Sequence, residues 1–576
     1  MKKFGMILFC IILGLIVGLL ASEFVLRLIW GNPYKELVKN YVSYFEFEIY
    51  DPFFRKVKSP DGELLYIKQR SGVVGEASFP ALKPTNTKRI FILGESVAAD
   101  FGARSSELLK SRLQRYFPSC QFEIVPCRTG GYDSYRVCLI MKEILNYQPD
   151  LILLFVGNNS ASHLRPGLPL KLYAKTWIYR LLDRNFMARS TVQRGENEIN
   201  SVFSNDLEQM SEFARQKKVL LAIYTLPCNF KDLAPFGPGW FFDRGRFMAQ
   251  IAFEKGQWDQ AITILEKQLI LGELRKNAQV YYAIGQCLEK KLEYSRAREY
   301  YLKALVLSGG LRWRCSARKN RIIRETAEIN DLILVDLEKK FISIAPHGLL
   351  GDEFFMDNCH WLPPYDSVVI EELISSLQDY LKRHSNPSFG PGPQGPSRSN
   401  EALVAQKAFQ EAGMLTRSEA FLTETCLWGI SYILQKNEAG YCLYYLRKAA
   451  KYNPGVLIKM ISSREDVRKR IMEIPWLVPI VNRLDASWPD VLWQAGEALR
   501  ESGNYTLALN FFNRALKLNG ERNNIEPYLL RGLTFFLMGD RKKALKDWEF
   551  VIEMNPGMMW LREIKSPGLK PAVLFR

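Results

Sequence analysis

The chain opens on an uncharged apolar run from Phe4 to Ser22, preceded by Lys2 and Lys3. Nineteen residues of helix rise about 28 Å, enough to cross a hydrocarbon core. From Lys88 the pattern changes. Short continuous apolar runs at 89–94 (RIFILG), 122–127 (FEIVPC), 149–157 (PDLILLFVG) and 217–226 (KKVLLAIYTL) read as buried strands. The stretches between them, such as SELLKSRLQRYF and CLIMKEILNY, carry helical spacing. The same texture returns after residue 312, with a helix in ARKNRIIRETAEIN, a strand in DLILVDL and a long helix ending at Arg383. Strands alternating with helices predict a parallel sheet covered on both faces.

Near Gly239 the spacing becomes purely helical and repeats. Ala261 and Ala297 align at a spacing of 36, and Tyr281, Gly285, Leu288, Tyr294, Tyr301 and Ala304 complete a unit. The tail repeats it at Gly496, Leu499, Gly503, Tyr505, Ala508, Phe512 and Ala515, then at Tyr528, Gly532, Phe535, Gly539, Ala544 and Trp548. A weaker unit ends at Ala449 and Pro454. This resembles the tetratricopeptide repeat, in which small residues let paired helices approach. The expected organisation is an anchor at 1–24, a stalk at 25–85 and an α/β domain in two parts, 86–238 and 312–385. Inserted repeats at 239–311, a Pro/Gly linker at 386–400 and a repeat domain at 401–576 complete it.

Composition narrows the partners. Only one apolar stretch is long enough to span, which excludes a polytopic membrane protein. Lys and Arg total 78 against 61 Asp and Glu, a net charge of +17. The excess is dispersed along the chain, so nucleic acid is not an expected partner. A secretory signal is the rival reading of the apolar run, but Leu19 sits where a cleavage site wants a small residue. A retained single-pass anchor is therefore expected, with the bulk of the chain outside the cytoplasm, which is the periplasm if the source is Gram-negative. There Cys120 and Cys127, flanking a strand, are a pair to examine for a disulfide. The basic stretch Arg312, Arg314, Arg318, Lys319, Arg321, Arg324 reads as a solvated helix face, with an anionic substrate or phospholipid headgroups as its other reading.

Candidate chemistry sits at the carboxyl ends of strands, where α/β proteins place their sites. Gly94-Glu95-Ser96 ends the first strand of the series, and a short turn there exposes a hydroxyl; Ser is also an ordinary helix cap. Gly130-Gly131 follows the second, and Gly157-Asn158-Asn159-Ser160 the third; both can aim donors at an oxyanion, and both are ordinary turn chemistry. Asp357-Asn358-Cys359-His360 follows the last, and a carboxylate three residues before a His reaches its Nδ1 in a turn. His163 and His384 lack a partner pattern. No HExxH, CxxC or GxxxxGK[ST] occurs, so no metal or other cofactor is expected.

Taken together, GxS, GG, GxN and DxxH after successive strands resemble the GDSL or SGNH hydrolase superfamily over residues 86–238 and 312–384. The resemblance implies a flavodoxin-like three-layer α/β/α domain and ester chemistry. Ser96 matches the nucleophile, Asp357 and His360 the acid–base pair, and Ser96 N–H, Gly131 and Asn159 the oxyanion hole. Glu95 stands where the family usually has Asp, Ser160 where it has Asp or Glu, and Pro126 where the second block often begins with Asn. The implied function is a membrane-anchored serine esterase that removes a small acyl group from a cell-surface glycan or lipid, with a protein partner on the repeats. The alternative is a repeat scaffold whose α/β domain is catalytically silent or transfers acyl groups.

Overall fold

The computed structural model of the chain describes residues 2–33, 52–68, 78–127, 129–159, 172–173, 175–182, 196–235, 244–270, 278–308, 314–385, 389, 398–435, 439–474, 477–519 and 524–564. It divides into two compact units. One comprises Met1–Leu226, Arg312–Glu338 and Val369–Arg398; the other comprises Pro227–Leu311, Lys339–Val368 and Ser399–Arg576.

In the first unit the apolar run forms helix Lys2–Trp30, and its stretch Phe9–Trp30, with mean hydropathy 2.5, is long and apolar enough to cross a membrane. The segment read as a stalk contains a small antiparallel sheet, β1 (Phe54–Lys58), β2 (Leu64–Lys68) and β3 (Ser78–Pro80). Pro60-Asp61-Gly62 makes the first turn, where Gly62 N–H donates to Ser59 O at 3.0 Å. Phe54 and Phe79 bury their rings against Phe91 and Tyr147 of the α/β core. By the strand register Phe54, Tyr66 and Phe79 share one face of this sheet.

The five apolar runs form a parallel sheet: β4 (Thr87–Gly94), β5 (Gln121–Pro126), β6 (Leu151–Phe155), β7 (Leu220–Thr225) and β8 (Ile333–Asp336). Their order is β5-β4-β6-β7-β8, all pairs parallel. In chain order this is 2-1-3-4-5, one of the common doubly wound arrangements, whose switch point lies between β4 and β6. β6 is wholly buried, as expected of a central strand covered on both faces. Helix Ser96–Tyr116 packs on β4 and β5, and helices Ser134–Ile144, Glu196–Lys217 and Ala317–Ile329 pack side by side. Of the linker at 386–400, Phe389 and residues 398–400 lie within the described residues; Phe389 stacks on Phe122.

The second unit is built of antiparallel helix pairs. They are Arg244–Glu254 with Trp258–Ile270, Ala278–Lys290 with Tyr294–Leu307, Glu419–Leu434 with Ala439–Tyr452, Leu484–Glu501 with Tyr505–Asn519, and Glu526–Leu537 with Arg541–Met554. Four of these five close approaches use the same device. A Cβ on Gly285, Gly429 or Gly496 would stand 2.9 Å from Tyr301, Tyr445 or Phe512, and one on Gly532 would strike Trp548. In each pair the ring lies sixteen residues after the glycine. In the first pair, buried Ala249 and Leu265 hold those positions. Cys120 and Cys127 are both buried, and no disulfide joins them.

Candidate active site

Ser96 is half-buried and is the first residue of helix Ser96–Tyr116. Its own N–H is thus one of the helix's orphan donors, and the positive end of the helix dipole points toward it. Gly94 makes the turn possible: its φ is +154°, and a Cβ there would fall on the Phe155 carbonyl oxygen. Thr129 Oγ1 donates to Gly94 O and ties the loop after β5 to the same turn. In that loop Gly131 is exposed, with φ +70°. Buried Asp133 caps the next helix by accepting from Arg136 N–H at 3.1 Å.

Asn159, after β6, is held from two sides. Its Nδ2 donates to Tyr132 O at 2.7 Å, and its backbone N–H donates to Glu95 Oε2 at 2.9 Å. Glu95 also accepts from Gly157 N–H at 3.0 Å and Asn158 N–H at 2.8 Å. Burial pushes the Glu95 carboxyl up to about 7, even though the Lys319 ammonium and the three N–H donors favour its ionised form. Ser96, Gly131 and Asn159 therefore belong to the first unit, at the carboxyl ends of adjacent strands β5, β4 and β6.

Asp357 and His360 belong to the second unit. They lie in a tight hairpin closed by the Phe355–Trp361 bridge and by Met356 N–H donating to His360 O at 2.8 Å. Asp357 Oδ1 accepts from His360 N–H at 2.8 Å and Cys359 N–H at 2.9 Å, and Oδ2 lies 2.7 Å from His360 Nδ1. Burial alone would depress the imidazole, but the Asp357 carboxylate more than reverses this and holds His360 well above its usual range. Burial likewise opposes the Asp357 charge, and the imidazole with its bonds outweighs it, so Asp357 lies below the usual carboxylate range. The pair has the geometry of a base and its orienter. Asp357, Cys359 and His360 also offer donor atoms within 4.8 Å of one another, the composition of a metal site. Yet both Asp357 oxygens and His360 Nδ1 are engaged with each other and with the backbone, which suits a hydrogen-bonded pair better than a cation.

Two buried lysines beside these loops were not legible. Lys319 is buried, donating from Nζ to Gly157 O at 2.8 Å and Asn159 O at 3.1 Å. Arg314 is buried and Arg324 pairs with Asp336 and Glu338, whereas Arg318 and Arg321 are exposed, so the basic stretch is only partly a solvated face. Lys448, from a repeat helix, is fully buried and donates to Phe355 O at 2.5 Å and Met356 O at 3.0 Å, bracing the hairpin of Asp357 and His360. No sequence pattern distinguishes such lysines from solvated ones. The His384 ring lies tilted against Tyr380, and its Nε2 is 3.1 Å from Asp331 Oδ2. Ser160, His163 and Arg312 lie outside the described residues.

The tetratricopeptide repeat family matches residues 248–311 and again 489–522. Comparison with curated proteins gives no match. Among solved structures an acetyl xylan esterase, AlAXEase, aligns at 15% identity over 50% of this chain and 99% of its own, with a TM-score of 0.25, too loose to bear on fold or activity. The protein is thus a mixed α/β chain with tetratricopeptide repeats and one N-terminal helix able to span a membrane.

Proposed function

We propose that the protein is a membrane-anchored serine esterase of SGNH type, with Ser96, His360 and Asp357 as its triad. The observation that carries this reading is the Asp357–His360 pair: a carboxylate fixed by two backbone N–H groups and bonded to imidazole Nδ1 at 2.7 Å. In that bond the proton stays on Nδ1, which donates to Asp357 and leaves Nε2 as the base. Ser96 supports it, as a half-buried hydroxyl at a helix N-terminus beside the switch point of the sheet.

In the reaction, Ser96 Oγ bonds to the ester carbonyl carbon while its proton passes to His360 Nε2. The oxyanion is held by Ser96 N–H, Gly131 N–H and the second Nδ2 hydrogen of Asn159. Collapse breaks the C–O bond to the alcohol, which takes the proton back from His360. Water then repeats the cycle, releasing the acid and freeing Ser96. The hydrolase domain is residues 86–238 with 312–385, the acyl group is small, and its carrier is a glycan or lipid outside the cytoplasm. The repeats, by their family, offer a surface for a protein partner.

Turnover of p-nitrophenyl acetate tests the reading. Ser96→Ala should lose several orders of magnitude while staying folded. Retention of more than about a tenth of the wild-type rate would put the nucleophile elsewhere.

A further inference from the structure

We infer that Glu95 and Lys319 are positioning residues, a buried anion and cation that grip the peptides of 157–159 from opposite sides and hold Asn159 in register with Ser96. The inference rests on the esterase reading. All its members lie in the first unit.

A strand ending in Gly157-Asn158-Asn159 leaves three successive N–H groups without ladder partners. Glu95 takes all three, one on Oε1 and two on Oε2, at 2.8–3.0 Å. The carbonyls of Gly157 and Asn159 face the other way and accept from Lys319 Nζ. Asn158 Oδ1 accepts from Cys315 N–H at 2.9 Å, adding a link to the chain just before the lysine's helix. Neither charge would be stable alone at this depth, since burying an isolated ion costs several kcal/mol. Each is retained because the loop between them offers donors on one edge and acceptors on the other.

The consequence is mechanical. Glu95 is the residue directly before Ser96, and its own N–H donates to Phe155 O at 2.9 Å. The turn that carries the nucleophile and the loop that carries the oxyanion donor are therefore one rigid piece. An oxyanion donor acts only when it is preset where charge develops, so loosening the grip should lower kcat and spare ground-state binding. Lys319 acts on Glu95, and Cys315, Glu95, Asp133 and Glu196 act on Lys319.

The test combines kinetics with hydrogen exchange in the full-length protein. Glu95→Gln puts an amide donor among the N–H groups. It should lower kcat on p-nitrophenyl acetate by about 10–100-fold, less than the roughly 100–1,000-fold cost of losing an oxyanion donor outright because Asn159 is loosened and not removed, with KM within about threefold. Glu95→Asp restores the charge and should recover at least tenfold of that loss. Lys319→Met should also lower kcat by about tenfold or more. Amides 157–159 should exchange slowly in the wild type and quickly in Glu95→Gln. Fast wild-type exchange there, or a folded Glu95→Gln with unchanged kcat, overturns the inference even if the other variants fail to fold. A wild type without turnover, but with slow exchange at 157–159, instead sinks the esterase reading and with it the positioning role, leaving only a structural clamp.

Discussion

Replacing Asp357 with Asn keeps the size of the side chain and inverts its chemistry at one atom. The remaining oxygen can still accept from the backbone N–H groups of Cys359 and His360, so the hairpin should persist. The new amide, however, faces Nδ1 at the 2.7 Å position and donates to it. The imidazole must then carry its proton on Nε2, where the esterase reading requires a base. A bond to a charged partner is worth about 1.5–3 kcal/mol. Adding the cost of the wrong tautomer gives about 4–5 kcal/mol, or three to four decades in kcat/KM, the size seen when a triad carboxylate becomes an amide. The pH profile should move as well. The carboxylate is what lifts His360 above its usual range against the effect of burial, so wild-type activity should rise only as pH climbs through that raised value. Without the carboxylate, burial is left to act and the limb should shift toward acid. The assay is kcat/KM for p-nitrophenyl acetate from pH 5 to 9 in both proteins. A variant within tenfold of wild type, or a limb that stays in place, would refute the assigned roles.

Other outcomes follow from the packing. Gly496→Ala places a methyl 2.9 Å from the Phe512 ring, and overpacking of about 1–3 kcal/mol should exceed the roughly 1 kcal/mol gained in helix propensity. Calorimetry should show a Tm lower by a few degrees, and a raised Tm would show that the helices can part freely. Lys448→Met removes both donors to the carbonyls of Phe355 and Met356 and should lower esterase turnover at least tenfold through loss of the brace on the hairpin. Unchanged turnover would separate the brace from the site. Alkaline carbonate extraction should leave the full-length chain in the membrane fraction. A soluble protein beginning near Ser22 would make the apolar run a cleaved signal.

Much of this architecture could be read from periodicity. The five strands of the parallel sheet were continuous apolar runs because both faces are buried, and the repeats were visible because Gly285, Gly496 and Gly532 each recur before a large ring. The placement of Ser96, Gly131 and Asn159 just after strands was legible because loops at strand ends punctuate the pattern. What lay hidden depended on depth and not on order. Lys319 and Lys448 sit in helices whose spacing looks solvated, and only the carbonyls they meet in three dimensions explain their burial. Glu95 reads as a variant of a common Asp, yet its three bonds to 157–159 require a neighbouring strand that the sequence does not order. The antiparallel sheet at 54–80 escaped because its strands are only 5, 5 and 3 residues long, too short for a period of 2 to stand out.

The central claim is that Ser96 is an activated nucleophile. It is tested most directly by treating the full-length protein with a fluorophosphonate and locating the adduct by peptide mass spectrometry. The account predicts a single stoichiometric adduct on Ser96, abolished in Ser96→Ala and slowed by orders of magnitude in His360→Ala. An unlabelled protein, or an adduct on another serine, would contradict it.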